Sequence, residues 1–321
     1  MSMMMTRKNA IYVPIFFVII VSLIGYLVSR NGASPPRRTW PPSIRPPPDD
    51  DDFGRGEVGK DIGPLGVFPR ARPRLVHNLL FSSSTCEDKA SYVQQWKGDA
   101  VVVEVGSYQG EELALFKGLV RKMYTYEPSP AKFEKIRSVI SELGMEKVVT
   151  FRPAAASDKT GEASFNVVST EGTQQDSLGD VSFLTKKSSS SKTINVPIVR
   201  LDSEIQERVH LLKIDTQGHE IAVVKGAEGI IRKFGIDVIH AEFSPGLMRG
   251  HGTKPEAFLE YMWQLGYTCS YCTASFGLQN SELPVASGAQ AQPWGWNAFT
   301  ASFGEVFEIP GHGAWGDLIC I

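Results

Sequence analysis

From Ala100 onward the chain alternates short apolar runs with amphipathic runs of helix length, and this rhythm limits the possible folds more than anything else in its 321 residues. AVVVEV (100–105) is apolar and β-branched almost throughout, the pattern of a strand buried on both faces. EELALFKGLVRK carries Leu113, Phe116, Leu119 and Val120 at helical spacing, and KMYTYEP reads as a strand stopped by Pro128. PAKFEKIRSVISELGM reads as a helix ended by Gly144, and KVVTFRPAAAS as the next strand. HLLKID, IDVIHAEF and TCSYCTA continue as strands, with AVVKGAEGIIRKFG and PEAFLEYMWQLGY as helices between them. Strands separated by helices of this length predict an α/β fold, a mainly parallel sheet with helices on both faces. DLICI at the end reads as the closing strand, the one antiparallel member, beside TCSYCTA. The polar, serine-rich stretch 171–195 reads as an inserted surface loop, with a lid over the site as the alternative. Trp294, Trp296 and Trp315 are expected to pack in the core, with stacking on a sugar ring as the second reading.

The first 74 residues follow different rules. IYVPIFFVIIVSLIGYLV (11–28) carries no charge and is long enough to cross a bilayer. It reads as an uncleaved signal anchor (10–29) behind a short tail (1–9), a signal peptide being the rival. Residues 30–74 are dense in proline and include four consecutive aspartates, a composition that buries too little to fold and serves as a spacer. The head is expected over 75–321. A net charge of -2 with interspersed signs gives no reason to expect nucleic acid as a partner. The four cysteines, Cys86, Cys269, Cys272 and Cys320, are too scattered for a disulfide framework. They read as packed thiols, a disulfide being the second reading, and no metal site is expected because nothing completes the lone CxxC.

In open α/β sheets ligands bind beyond the carboxyl ends of the strands, and four polar clusters fall there. EVGSYQG places Glu104 at a strand end, with Ser107 between the bracketing Gly106 and Gly110. The spacing lacks the middle glycine of the dinucleotide fingerprint, which weighs against a nicotinamide enzyme. A carboxylate at Glu104 would also repel a pyrophosphate but suits an ammonium group, which points to S-adenosylmethionine. Glu127, in TYEPSP, stands where a carboxylate accepts both hydroxyls of a ribose. Ser157 and Asp158 stand where an adenine amine would be read, although DKTG alone explains an aspartate as a turn former. Asp215, His219 and Glu220, in LLKIDTQGHE, and Glu242, in IHAEF, form a polar group where an acceptor would lie, with helix capping as the alternative for Glu220.

Taken in order, EVGSYQG, YEPSP, AAASDKTG, VRLDS, LLKIDTQGHE followed by KGA, and IDVIHAEF resemble the FkbM-type family of S-adenosylmethionine-dependent methyltransferases over roughly 101–243. Gln217 stands where that family commonly has a carboxylate, and His219 where it often has a small residue. The resemblance implies a Rossmann-like methyltransferase sheet and methyl transfer to a hydroxyl of a sugar, glycan or related small molecule. It implies cofactor binding by Glu104, Gly106, Ser107, Gly110, Glu127, Ser157 and Asp158. Asp215 or His219 would act as base, with Glu220 and Glu242 orienting the acceptor. A head that kept the fold without the activity is the rival reading. Joined to an anchor and stalk, such a head is expected to face the lumen of the Golgi or endoplasmic reticulum.

Overall fold

A computed structural model describes residues 89–168, 176–178, 191–271, 285–286, 300, 308–309 and 313–321. The expected anchor, stalk and head boundary, with Cys86, Cys272, Trp294 and Trp296, lie outside the described residues.

The strands are β1 (Ala100–Val105), β2 (Val120–Tyr126), β3 (Val149–Arg152), β4 (Ala155–Ala156), β5 (Gly161–Val168), β6 (Ser177–Leu178), β7 (Ser191–Val199), β8 (Val209–Ile214), β9 (Ile236–Phe243), β10 (Cys269–Tyr271), β11 (Val285–Ala286), β12 (Glu308–Ile309), β13 (Gly313–Ala314) and β14 (Gly316–Cys320). The main sheet runs β11-β10-β14-β9-β8-β1-β2-β3. β3, β2, β1, β8 and β9 are mutually parallel, and β14 lies antiparallel between β9 and β10. The expected antiparallel partner of β10 is therefore present but has strands on both sides, and β11 adds a second reversed strand.

Period-two alternation sends successive residues of each strand to opposite faces. Val101, Val103, Val105, Leu212 and Ile214 pack on one face with Val223, Ile230 and Phe258. These come from α3 (Glu220–Gly226), α4 (Glu228–Lys233) and α6 (Pro255–Gln264), which with α1 (Phe133–Leu143), α2 (Leu201–Glu204) and α5 (Pro245–Gly250) are the α-helices among the described residues. Val102, Met123 and Leu211 pack on the other face with Ile136 and Ile140 of α1. This is the two-faced, Rossmann-like arrangement that the alternation predicts.

Four local expectations are corrected. Residues 111–122 do not form one helix: Glu111–Phe116 is a 3₁₀ turn, Gly118 takes a φ of 75°, and the β-branched Val120 opens β2. KVVTFRPAAAS splits at Pro153, giving β3 to the main sheet and β4 to a second one. The run read as one helix over 222–235 is α3 and α4, joined at Ala227. Part of the expected loop 171–195 is ordered, for β6 and the start of β7 fall within it. They complete a four-stranded sheet, β4-β7-β5-β6, missed because its faces alternate. Phe165, Val196 and Ile198 point into a small core at alternate positions, so β5 has no apolar run and β7 has only the short one around Pro197.

Cys269 and Cys320, expected as packed thiols, are joined by a disulfide across β10 and β14. Thr268 and Ile321 exchange both backbone hydrogen bonds next to them, at 2.8 and 3.0 Å. Their neighbours are thus the close, non-hydrogen-bonded pair, with Cα atoms 4.0 Å apart.

Candidate active site

The register of the parallel strands builds the first element of the site. Glu104 of β1 lies level with Thr125 of β2 and Lys213 of β8, so three polar side chains form a row on one face at the carboxyl end of the sheet. Thr125 Oγ1 donates to Glu104 Oε2 at 2.7 Å, while Oε1 is buried without a protein partner. Burial raises the Glu104 carboxyl, and Lys213 and Thr125 oppose the shift. Lys213 donates to the Gly106 carbonyl at 3.1 Å and to Asp215 Oδ2 at 3.4 Å. Burial opposes its charge, but Asp215, Glu112 and Glu104 outweigh that and hold the ammonium above its ordinary value.

Beyond β1 the chain curls tightly, with positive φ at Gly106, Tyr108 and Gly110. Gly106 is required sterically as well: a Cβ there would sit 1.8 Å from the Asp215 carbonyl oxygen. Glu127, just past β2, ties this loop down. Its Oε2 accepts from the Tyr108 N–H and its Oε1 from the Ser129 N–H, each at 2.9 Å. Burial pushes this carboxyl up to about 7 in spite of those bonds and of nearby Lys132. Lys132 lies 3.5 Å from the centre of the Tyr108 ring and 3.8 Å from Asp176, just ahead of β6. The second sheet thus reaches the cleft.

Beyond β8, Asp215 leads a second curled loop. Gln217, with φ 56°, donates from Nε2 to Asp215 Oδ1 at 3.0 Å and to both Glu242 oxygens at 3.0 and 3.1 Å. The Trp315 indole N–H also donates to Glu242. Burial holds the Glu242 carboxyl well above its ordinary value, and Asp215 and Glu220 add to that against Trp315. Glu220 turns back on its own loop, accepting from Thr216 N–H and O–H at 3.2 and 3.1 Å and from Gly218 N–H at 3.0 Å. Its carboxyl is pushed up to about 7 by burial. His219 meets His251 edge-on at 5.9 Å, and burial, then His251, push its imidazole down to about 4, so it is neutral at neutral pH.

One cleft brings much of this together. Gly106, Tyr108 and Glu127 line it from one side, and Asp215, Gln217 and His219 from the other. Ala154–Ala156, Phe165 and Leu178 add an apolar wall, and Asp176 and Lys132 a charged rim. Of the expected residues, Glu104, Ser107, Gly110, Glu220 and Glu242 stand just behind this lining. Ser157 and Asp158 lie off it: Asp158 is exposed, and its carbonyl accepts from Arg200 at 2.6 Å. Ser157 instead fixes the KGA turn, because a Cβ at Gly226 would sit 2.0 Å from its carbonyl oxygen. VRLDS has a similar framework task, with Arg200 gripping Asp202 at 2.9 and 2.5 Å. Lys213, Gln217 and Trp315 were not among the expected site residues. Lys213 lay in plain view in LKID, but its partners depend on strand register.

The residues present suit S-adenosylmethionine. Glu104 Oε1, Ser107 Oγ and Ser129 Oγ are buried without protein partners around the loop whose glycines allow close backbone approach. The carboxylates Glu104 and Asp215 suit an ammonium, Glu127 suits ribose hydroxyls, and the alanine and Phe165 wall suits a flat base.

A family model described as a methyltransferase FkbM domain matches residues 104–269. No curated protein matches the chain. Among solved structures, a methyltransferase FkbM from Methylobacillus flagellatus KT shares 17% identity over 46% of this chain and 33% of its own, with a TM-score of 0.33. This chain therefore spans about a third of that protein's length. An rRNA methylase from Streptococcus thermophilus shares 11% identity over 50% of this chain and 69% of its own, with a TM-score of 0.29. A Streptococcus mutans protein crystallised in complex with SAH shares 9% identity over 74% of this chain and 97% of its own, with a TM-score of 0.39.

Proposed function

The chain belongs to the methyltransferase FkbM domain family, its cofactor is S-adenosylmethionine, and we propose that it methylates a hydroxyl oxygen of a sugar, glycan or related small molecule. The observation that carries this reading is the shared cleft: Gly106, Tyr108 and Glu127 on the cofactor side and the polar group Asp215, Gln217 and His219 line one opening. When bound, S-adenosylmethionine supplies a methyl group already activated on a sulfonium. Glu127 would hold the ribose, and Glu104 and Asp215 would hold the amino-acid end, with Lys213 keeping Asp215 and the Gly106 loop in place. Alignment of donor and acceptor then carries most of the rate.

A hydroxyl acceptor must lose its proton as it attacks. His219 is the base in this reading. Asp215 is engaged by Lys213 and Gln217, whereas His219 lines the cleft with a neutral imidazole. Glu220 and Glu242 act as positioning residues, the first by bracing the loop that carries His219, the second through Gln217. The uncharged run Ile11–Val28 and the proline-rich stalk support a membrane-anchored enzyme. The Cys269–Cys320 bond supports an oxidising compartment, such as the Golgi or endoplasmic-reticulum lumen.

Calorimetric titration of the full chain with S-adenosylmethionine, and separately with NAD, tests the cofactor reading: binding is expected for the first alone. Transfer of labelled methyl to methyl hexopyranosides tests the acceptor. His219→Ala is expected to lower kcat by about 10²-fold or more with cofactor affinity retained. Full turnover by both His219→Ala and Asp215→Asn would remove the assignment of the base.

A further inference from the structure

Trp315 was expected in the core, yet 49% of it is exposed, and with Leu115 it is one of two large hydrophobic residues left so open among the described ones. A single exposed indole is ordinary by itself, and its place in the fold is what matters. Its position is not casual. β14 runs antiparallel to β9, so its start lies at the carboxyl edge of the sheet, with Gly316 opposite Phe243 and Asp317 opposite Glu242. Trp315 immediately precedes that start, on the edge where the cleft opens. Its N–H is fixed to Glu242, which shares the Gln217 amide with Asp215 of the cleft lining. The ring is thus tied by its polar edge to the acceptor side of the site while half its surface stays open.

We infer that Trp315 is the stacking platform of the acceptor subsite and that its ligand is a neutral pyranose ring. This rests on the acceptor reading above and deepens it. A pyranose offers a C–H face to an aromatic ring and hydroxyl donors around its rim. The rim meets acceptors here: the Asp215 and Asp317 side chains are 36% and 42% exposed. A cationic acceptor is less well served, because Asp215 is shared between the Lys213 ammonium at 3.4 Å and the cofactor's amino-acid end, and Glu242 already takes the Gln217 and Trp315 donors.

The test reads binding rather than turnover. Saturation-transfer NMR on the full chain would use methyl glucoside, methyl galactoside and methyl mannoside as probes, with tetramethylammonium as the cationic control. At least one glycoside should bind the wild type. Trp315→Ala should bind it roughly tenfold or more weakly, and Trp315→Phe, which keeps a ring but loses the N–H, should fall between them. S-adenosylmethionine affinity, measured by calorimetry on the same samples, should be the same in all three and shows that each is folded. Equal glycoside binding by wild type and Trp315→Ala, no glycoside binding at all, or binding of tetramethylammonium instead would each overturn the platform. Failure of the cofactor reading would appear separately, as absent S-adenosylmethionine binding.

Discussion

The loop after β1 and the loop after β8 solve one problem in two ways. Each follows a buried strand, each bends through a non-glycine residue in the left-handed region, Tyr108 at φ 51° and Gln217 at φ 56°, and each is held by a glutamate accepting backbone N–H groups. In both cases burial pushes that glutamate up to about 7. The difference is where the glutamate comes from. Glu127 arrives from the neighbouring strand and lines the cleft, so the clamp on the first loop is also a surface for a ligand. Glu220 comes from the second loop's own helix and is closed in on itself. Both Glu127 oxygens already accept a backbone N–H while facing the cleft, whereas Glu220 gathers all its bonds on Oε1 and leaves Oε2 buried without a protein partner.

The comparison can be broken by experiment, beginning where the effect should be largest. The two loops touch at Gly106 and the Asp215 carbonyl, where an added Cβ would sit at 1.8 Å. Gly106→Ala should therefore disturb both at once, costing about 3 kcal/mol or more of stability and abolishing measurable S-adenosylmethionine binding. A melting temperature within a degree of wild type would show that the loops are not interlocked.

The two glutamates should separate cleanly. Glu127→Ala should weaken S-adenosylmethionine by about 1–3 kcal/mol in calorimetry with a smaller change in melting temperature. Glu220→Ala should do the reverse, lowering stability by about 1–3 kcal/mol while cofactor affinity changes less. Equal effects on both readouts would mean that the loops are not specialised.

A subtler contrast lies in pH. A carboxyl raised from 4.5 to about 7 on folding makes the folded chain hold an extra proton between those values. The stability it contributes is full below about 4.5 and is lost as pH rises through about 7. Glu127→Gln and Glu220→Gln should each flatten that decline in melting temperature. Glu127→Gln alone should also flatten a rise in S-adenosylmethionine affinity as pH climbs through 7. His219 has the opposite sign: depressed from 6.5 to about 4, it contributes stability above 6.5 that is lost as pH falls towards 4. His219→Gln should be the smallest of these changes, making melting less sensitive to acid over that window.

How much of this was legible depended on what kind of pattern each part leaves. β1, β8 and β9 were plain because strands buried on both faces are written as mostly apolar runs rich in Val, Ile and Leu. Glu104 stands next to last in the β1 run, Gly106 and Asp215 directly follow β1 and β8, and Glu127 directly follows β2, so each was marked by its place at a strand end. β5 and β7 escaped because they bury one face, with Phe165 flanked by Ser164 and Asn166, and Val196 parted from Ile198 by Pro197. Period-two alternation in GEASFNVV and KTINVPIV was the available signal. Ser157 and Asp158 looked like base-reading residues by their place after a strand, but that strand breaks at Pro153 and its continuation, β4, joins the other sheet. The links from Gln217 to Glu242 and from Glu242 to Trp315 join three separate segments. The first depends on β9 lying beside β8 and the second on β14 lying beside β9, which no local spacing encodes.

The bond between Cys269 and Cys320 closes a covalent ring around every residue between them, a separation of 51 in the chain. A protease that cuts anywhere inside that ring does not release β14, because both fragments stay joined through sulfur. Residue 315 and the strand it introduces therefore stay attached to the rest of the molecule after a single cut. Losing them takes two events together, a break in the chain and a reductant. A single nick therefore leaves β14 paired and tethered until the disulfide is also reduced.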